Sequence, residues 1–433
     1  MAVTGNRESW LSWRRGCFLL IGILVLTFLF SAAPHKASIP LLQGPGHSSS
    51  KPATSPSFSF GTATADNEAI DGLTDAQCAA EFPDLFADID RAVAYWNGKS
   101  HTITDKETDI SDSRAAIRIL IHENELRILE SKQSVDRMKA APDRALGTLH
   151  LIQRALDASM AAGERLPTVE VTLNFQDGVD PGETHSFWTF ARHVEKESHQ
   201  RLWLMPNFDF WYYEHTGTFS DAKRDAMQRD AAFTSKIQQA VWRGNPDFNP
   251  ELRGALVEVA RGKDWADVGS VHEVERWMTV DEFCKYAMTI HTEGVTYSGR
   301  LKFLMNCQSL LIVHELDYET HYSHLLVKEG PEQNYVSVKR DWSDLEAKVT
   351  WYLDHPQEAE KIIANSLETF RSRYTTRAAT SCYIRRLIQS YGEVAWTPET
   401  HVPMKDGEGV RLRGYAYEKF MDRPEDADFE EME

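Results

Sequence analysis

Three short segments carry residue types that could gather an anion and move a proton. Trp242-Arg243-Gly244-Asn245 sits where a strand should finish, just ahead of a helix capped by Asn249. A guanidinium there, with a glycine permitting close backbone approach and a helix N-terminus nearby, suits a diphosphate; a surface arginine in a turn is the plainer alternative. The run Glu293-Gly294-Val-Thr-Tyr-Ser298-Gly299-Arg300-Leu-Lys302 joins a strand to a helix. Glycines, two hydroxyl side chains and two cations in one such loop form an anion cradle from backbone N–H groups, helix dipole and positive charge. The spacing matches neither the phosphate-binding Gly-x-x-x-x-Gly-Lys-Ser/Thr loop nor the dinucleotide Gly-x-Gly-x-x-Gly turn, so both of those readings are disfavoured. Asp177 follows a strand in the N-terminal half. A carboxylate there, in a cleft between two sheets, can take a proton from an acceptor hydroxyl, although Asp-Gly is also an ordinary turn dipeptide.

Other signals are weaker. His314-Glu-Leu-Asp-Tyr-Glu-Thr-His321-Tyr-Ser-His324 is rich in metal-ligand types but has no zinc spacing and lies partly on a strand. Asp88-Ile-Asp90 falls in helical sequence, where residues two apart diverge, and reads as solvated charge. The aromatic runs Phe187–Phe190 and Trp203–Tyr213 could line a sugar site by stacking, but core packing is the stronger expectation.

The elements that must hold these groups alternate in period. Leu146, Leu149, Ile152 and Leu156 recur at three- and four-residue spacing, which predicts an amphipathic helix over 144–156. Val169, Val171, Leu173 and Phe175 alternate with polar neighbours, predicting a strand that ends in the Gln176-Asp177-Gly178 turn. Further strands are expected at 237–242, 286–290, 309–314 and 335–338. Between them stand a helix with Asn249 as cap and Pro250 at its first position, and a helix over 300–307. Thr279–Glu282 and Ser343–Glu346 read as capping boxes. Strands alternating with helices of this length indicate an α/β fold with mostly parallel sheets, and two sheets fit the span better than one.

Composition narrows the partners. The chain has 433 residues and a net charge of -18, which argues against a nucleic-acid coat or a polybasic membrane surface. Residues 1–15 precede an uncharged apolar run over 16–33, long enough as a helix to span roughly 27 Å at about 1.5 Å per residue. Arg14 and Arg15 before the run predict a cytoplasmic tail and a lumenal body; a cleaved signal peptide ending near Ser31-Ala32-Ala33 is the alternative. Residues 34–75, rich in Ser, Pro and Gly, read as a flexible stem, and 421–433 as an acidic tail. Cys78, Cys284, Cys307 and Cys382 follow the run, so two disulfides are expected, with three pairings open.

In order along the chain stand Ala240-Val-Trp-Arg-Gly-Asn245, Asp281-Glu-Phe-Cys-Lys-Tyr286, Gly294-Val-Thr-Tyr-Ser-Gly-Arg-Leu-Lys302, Cys307-Gln-Ser-Leu310 and Tyr335-Val-Ser-Val-Lys-Arg-Asp341. Together they resemble the lipopolysaccharide-modifying, capsule-associated, protein O-glucosyltransferase family, glycosyltransferase family 90, over roughly residues 78–400. The resemblance implies a GT-B arrangement of two Rossmann-like lobes facing a cleft: an acceptor-side lobe over 76–225 and a nucleotide-sugar-binding lobe over 226–420. It implies an inverting transfer of xylose or glucose from a UDP-sugar to a glycan or glycoprotein. Asp177 is then the base, Arg243 and Arg300 hold the diphosphate, and Gly244, Gly294, Ser298 and Lys302 complete the donor site, with no metal or cofactor expected. It also implies the pairings Cys284–Cys307 and Cys78–Cys382. The C-terminal Glu-Glu-Met-Glu433 differs from the Lys-Asp-Glu-Leu-like signal of soluble relatives, and with the anchor points to a single-pass Golgi membrane protein. A catalytically silent member acting as a secretory-pathway interaction protein is the competing expectation.

Overall fold

The computed structural model describes residues 72–111, 113, 115–131, 142–272, 277–405 and 407–422. The expected tail, membrane anchor and nearly all of the stem and acidic tail lie outside the described residues. Among those described, no helix is long and apolar enough to cross a membrane.

Two sheets carry the molecule. The first contains β1 (Ala116–His122), β2 (Glu125–Ser131), β3 (Val169–Asn174), β4 (Phe187–Thr189) and β5 (Trp203–Leu204). The second contains β6 (Ile237–Gly244), β7 (Ala266–Ser270), β8 (Tyr286–His291), β9 (Leu310–His314) and β10 (Val336–Val338). A last strand, β11 (Tyr415–Ala416), returns to the first sheet, giving the orders β11-β2-β1-β3-β4-β5 and β7-β6-β8-β9-β10.

Every pairing in the second sheet is parallel. The first sheet is mixed, which departs from the expectation of mostly parallel strands. β3 runs parallel to β4 and β4 to β5, but β1 is antiparallel to both β2 and β3. The cause is local: Glu123 and Asn124 both take positive φ, 51° and 64°. A two-residue turn of that kind reverses the chain in register with the strand twist and fixes an antiparallel hairpin.

Side-chain alternation explains how the sheets share a core. In the second sheet Val241, Leu311 and Val313 join the apolar cluster of the first sheet. Their neighbours Ala240, Trp242, Leu310 and Ile312 face the other way, onto Leu256, Val349 and Ile363 of the covering helices. β3 is buried on both faces: its apolar residues enter the core, while Glu170 on its polar face bonds to Arg118 and, at 2.8 Å, to Arg413.

The helices follow their sequence signals with two corrections. The predicted 144–156 helix extends over Pro142–Ala161, labelled α1. Asn249 accepts from the backbone of Leu252, Pro250 opens a turn of wide helix, and α2 (Ala255–Ala260) follows. The 300–307 helix shrinks to α3 (Leu301–Leu304). At Ser343–Glu346 the capping-box pattern is present but unused: the Glu346 carboxylate accepts from Lys263 and from the Trp265 indole instead. The long helix α4 (Arg377–Val394) packs against α1 and the helix Ala87–Gly98. Disulfides join Cys78 to Cys382 and Cys284 to Cys307, the pairings implied by the resemblance.

Candidate active site

A cavity of about 380 Å³ opens where the carboxyl ends of the two sheets meet, and Asp177, Arg243, Ser298 and Arg300 line it together. Each arrives from the end of a strand, where side chains and loop backbone are freed from the sheet and available to a ligand. Asp177 stands three residues beyond β3, Arg243 near the end of β6, and Ser298 and Arg300 in the loop after β8. Asn207, Phe208 and Asp209, just past β5, complete the first-sheet wall with Arg144 and Tyr213. Trp277, which is 57% exposed, stands at the same cavity with Met278, Val280 and Phe283.

Asp177 is held from two sides. Its carboxylate accepts from Arg144 Nη1 at 2.7 Å, and the same nitrogen donates to the Phe175 carbonyl at 2.9 Å. Its own carbonyl accepts from Thr296 Oγ1 at 2.7 Å. The side chain remains half exposed, so one oxygen is fixed by the guanidinium while the group still meets solvent.

The arginines differ in how their charge is met. Arg243 is buried and paired with Asp267, Nη2 to Oδ2 at 2.8 Å, while Nη1 donates to the Asp267 and Trp242 carbonyls. Asp267 also accepts from the Tyr286 hydroxyl, and burial together with that carboxylate pushes the phenol up to about 12. Arg300 donates to the Arg243 carbonyl and lies 5.4 Å over the Phe283 ring, with no carboxylate partner among the described residues. Burial, with the positive Arg253 nearby, pushes its guanidinium down to about 10.

Arg253 is the cation that the motifs did not single out. It lies in the first turn after the Asn249 cap and donates to the carbonyls of Glu293 at 2.7 Å and Asn245 at 3.0 Å. It too has no carboxylate partner among the described residues, and burial pushes it down to about 10. Two guanidiniums near one another, bonded among the described residues to carbonyl oxygens alone, make a region that favours an incoming anion, with Arg300 at the cavity and Arg253 behind its lining. The Asn249-Pro250 cap was the usable signal: a cation one turn beyond it shares the helix N-terminus.

Gly244, Gly294 and Lys302, also expected at the donor site, are not among the residues that line this cavity. At Gly244 a Cβ would fall 2.4 Å from the Trp242 ring, so the glycine admits a core tryptophan rather than a ligand. At Gly294 a Cβ would meet Arg253 Nη2 at 3.0 Å, so here the glycine lets the loop close over the cation. Lys302 is fully buried behind the cavity, 2.5 Å from Asp209 Oδ1, and donates to the Gly299 carbonyl at 2.7 Å. Burial pushes the Lys302 ammonium down and the Asp209 carboxyl up, and their attraction opposes both. Its work is to brace the loop.

Two weaker signals resolve into structure. Asp88, expected to be solvated, is buried and pairs with Arg91 at 2.8 Å and Arg192 at 3.2 Å. A buried carboxylate needs such partners, and the helix turns Asp88 inward while Asp90 stays exposed. His314 accepts from the Glu293 N–H and donates to the Glu315 carbonyl, whereas His321 packs among Phe210, Tyr322 and Tyr383. The two histidines thus serve separate surroundings.

Comparison with known proteins bears out the resemblance. The family model described as glycosyl transferase family 90 matches residues 77–406. Protein O-glucosyltransferase 2 of Danio rerio is 28% identical over 175 residues, 37% of this chain and 34% of that protein. O-glucosyltransferase LpsA of Dichelobacter nodosus is 28% identical over 141 residues, 31% of this chain and 43% of that protein. The O-glucosyltransferase rumi homolog of Anopheles gambiae is 23% identical over 279 residues, covering 58% of this chain and 66% of its own length. Against the Danio rerio protein the chain thus spans about a third of the relative's length.

Proposed function

Because the chain belongs to glycosyl transferase family 90, we propose that it moves glucose or xylose from a UDP-sugar to a hydroxyl of a glycan or glycoprotein. The observation that carries the reading is the shared cavity, in which a half-exposed carboxylate, Asp177, lies with Arg243 and Arg300 at the ends of two sheets. The chemistry is a single inverting displacement. Asp177 takes the proton of the acceptor hydroxyl as its oxygen bonds to the anomeric carbon. The bond from that carbon to the diphosphate oxygen breaks, and UDP leaves with the electron pair. Negative charge grows on the diphosphate as it departs, so fixed cations in a water-poor pocket stabilise the transition state more than the ground state.

Arg300, which lines the cavity and bonds only to a carbonyl among the described residues, supplies that charge most directly, and Arg253, buried behind the lining, adds to it through the field. Arg243 is shared with Asp267, so it contributes orientation as well as charge. Arg144 fixes the rotamer of Asp177 and leaves its second oxygen for the acceptor. The segments 76–225 and 226–420 then act as acceptor-side and donor-side lobes in the GT-B manner, although α4 and β11 belong to the first sheet's layer. The two disulfides support an oxidising, secretory compartment, and a Golgi membrane location remains our reading of the N-terminal apolar run.

The test is to offer the protein a panel of UDP-sugars with glycan and glycoprotein acceptors and score UDP release. One sugar should be consumed, and Asp177→Asn should slow single-turnover transfer at least about a hundredfold while UDP still binds. Undiminished single-turnover chemistry in that variant moves the base elsewhere.

A further inference from the structure

The loop after β8, together with the first turn of α3 that follows it, is bonded to the opposite wall of the cavity at three places. Thr296 Oγ1 donates to the Asp177 carbonyl at 2.7 Å. The Tyr297 hydroxyl accepts from Asn207 Nδ2, and Lys302 Nζ lies 2.5 Å from Asp209 Oδ1. The same loop carries Ser298 and Arg300 into the cavity. Residues that would meet the donor are therefore tied, within a few positions, to the segments that face the acceptor.

Thr296 stands apart from the other two ties because it grips the backbone of the reacting residue itself. It is buried, at 4% exposure, while its neighbour Val295 is 67% exposed, so the chain turns this side chain inward. The turn is closed by Gly294 N–H donating to the Thr296 carbonyl at 2.8 Å. Its methyl packs where a Cβ on Gly178 would lie 3.2 Å away, so contact with the Asp177 turn is tight. Asp177 is thus located by two independent grips: Arg144 holds its carboxylate, and Thr296 holds its carbonyl.

We propose that Thr296 is a positioning residue that sets the Asp177 carboxylate against the donor by locking the Asp177 backbone to the donor loop. The inference rests on the assignment of Asp177 as base and of the loop as donor-binding. A hydroxyl whose only role is to place another group contributes to the chemical step and little to donor affinity. An ångström of misplacement at a reacting group costs about a hundredfold in rate.

Thr296→Val keeps the shape and methyl and removes the hydroxyl, whereas Thr296→Ser keeps the hydroxyl. On the full chain, Thr296→Val should lower kcat for transfer by about 10- to 100-fold, with donor KM and UDP Kd within about twofold of wild type. Thr296→Ser should restore kcat to within about threefold. Three outcomes overturn the inference while leaving the activity itself intact: Thr296→Val transferring at the wild-type rate, its UDP affinity falling in step with kcat, or Thr296→Ser being as slow as Thr296→Val. Should Thr296→Val fail to fold, Gly178→Ala reads the same contact by wedging a Cβ against the Thr296 methyl. A kcat loss there at unchanged UDP affinity supports the inference, and full kcat overturns it. If wild-type protein neither binds UDP nor releases it from any sugar, the assignment of the site fails first and takes this inference with it.

Discussion

Replacing Arg253 by glutamine should leave the protein about as stable as before while removing most of its response to UDP. Burial lowers the Arg253 guanidinium from 12.5 to about 10. At about 1.36 kcal/mol per unit, that amounts to about 3 kcal/mol. The sign follows from the charge states. Arg253 is a cation in both the folded and unfolded chain at neutral pH, so a lowered folded value is a cost of folding, present below about pH 10 and relieved only above it. Opposing this are two hydrogen bonds to the Glu293 and Asn245 carbonyls, each contributing about 1.5 kcal/mol. Glutamine loses the cost and one of the bonds, so the melting temperature without ligand should move by no more than about 3 °C. Binding behaves differently, because loss of one buried charged partner costs about 3 kcal/mol, or about a hundredfold in Kd. At a UDP concentration of about 100 Kd for wild type, the expected stabilisation is about 2.7 kcal/mol; the variant, now near its own Kd, gains about 0.4 kcal/mol. Thermal unfolding with and without UDP should show an upward shift of about 5 °C in wild type and under about 1 °C in Arg253→Gln. A variant that keeps the full shift refutes the donor assignment of Arg253. A variant that melts about 10 °C lower without ligand refutes the energetic account.

Lys302→Met should destabilise the protein by about 3–5 kcal/mol, since it leaves the buried Asp209 carboxylate unpaired; adding Asp209→Asn should recover at least half in the same denaturation measurement. Failure of the second change to recover stability would mean that Lys302 acts through packing on Phe210 and Phe303 rather than through its charge. Burial lowers the His314 imidazole from 6.5 to about 4, so its neutral form is favoured by the fold. That contribution is whole above about pH 6.5 and is lost as pH falls toward about 4, amounting to about 1.4 kcal/mol by pH 5.5. His314→Gln should flatten the stability profile between pH 7.5 and pH 5.5 by about that amount, and an unchanged slope would assign the acid sensitivity to other groups.

The second sheet was legible because its physics is local. Parallel strands buried on both faces read as apolar runs, and β6, β8, β9 and β10 fall within a residue or two of their expected positions. The hairpin of β1 and β2 was not legible: Glu-Asn at its turn lacks the glycine that normally announces two positive φ values. The helix Arg377–Val394 and the strand β11 were not read from the sequence, and their return to the first sheet is a tertiary fact that local pattern does not carry. Glu346 shows the opposite failure, a correct local pattern overridden because Lys263 and Trp265 offer better partners. In the site, Asp177, Arg243, Ser298 and Arg300 reached the cavity while Gly244, Gly294 and Lys302 did not line it, and the partners of the first four did not announce themselves. Arg144 and Asp177 are separated by 33 positions, and Thr296 and Asp177 by 119.

On the proposed function, the charge around the cavity has to hold a dianion against the field of an acidic chain. With a net charge of -18, the long-range field repels a nucleotide-sugar, and salt weakens that repulsion at the protein surface. What attracts it must act at short range and in low dielectric, where screening is slight. Among the cations near the site, Lys302 is matched by Asp209, Arg243 by Asp267 and Arg144 by Asp177. Among the described residues, Arg253 and Arg300 bond to carbonyl oxygens, which do not cancel their charge. The matched pairs fix geometry, setting loop, strand end and base. On the proposed function, the unmatched pair would supply the attraction, and a diphosphate would relieve its mutual repulsion on binding.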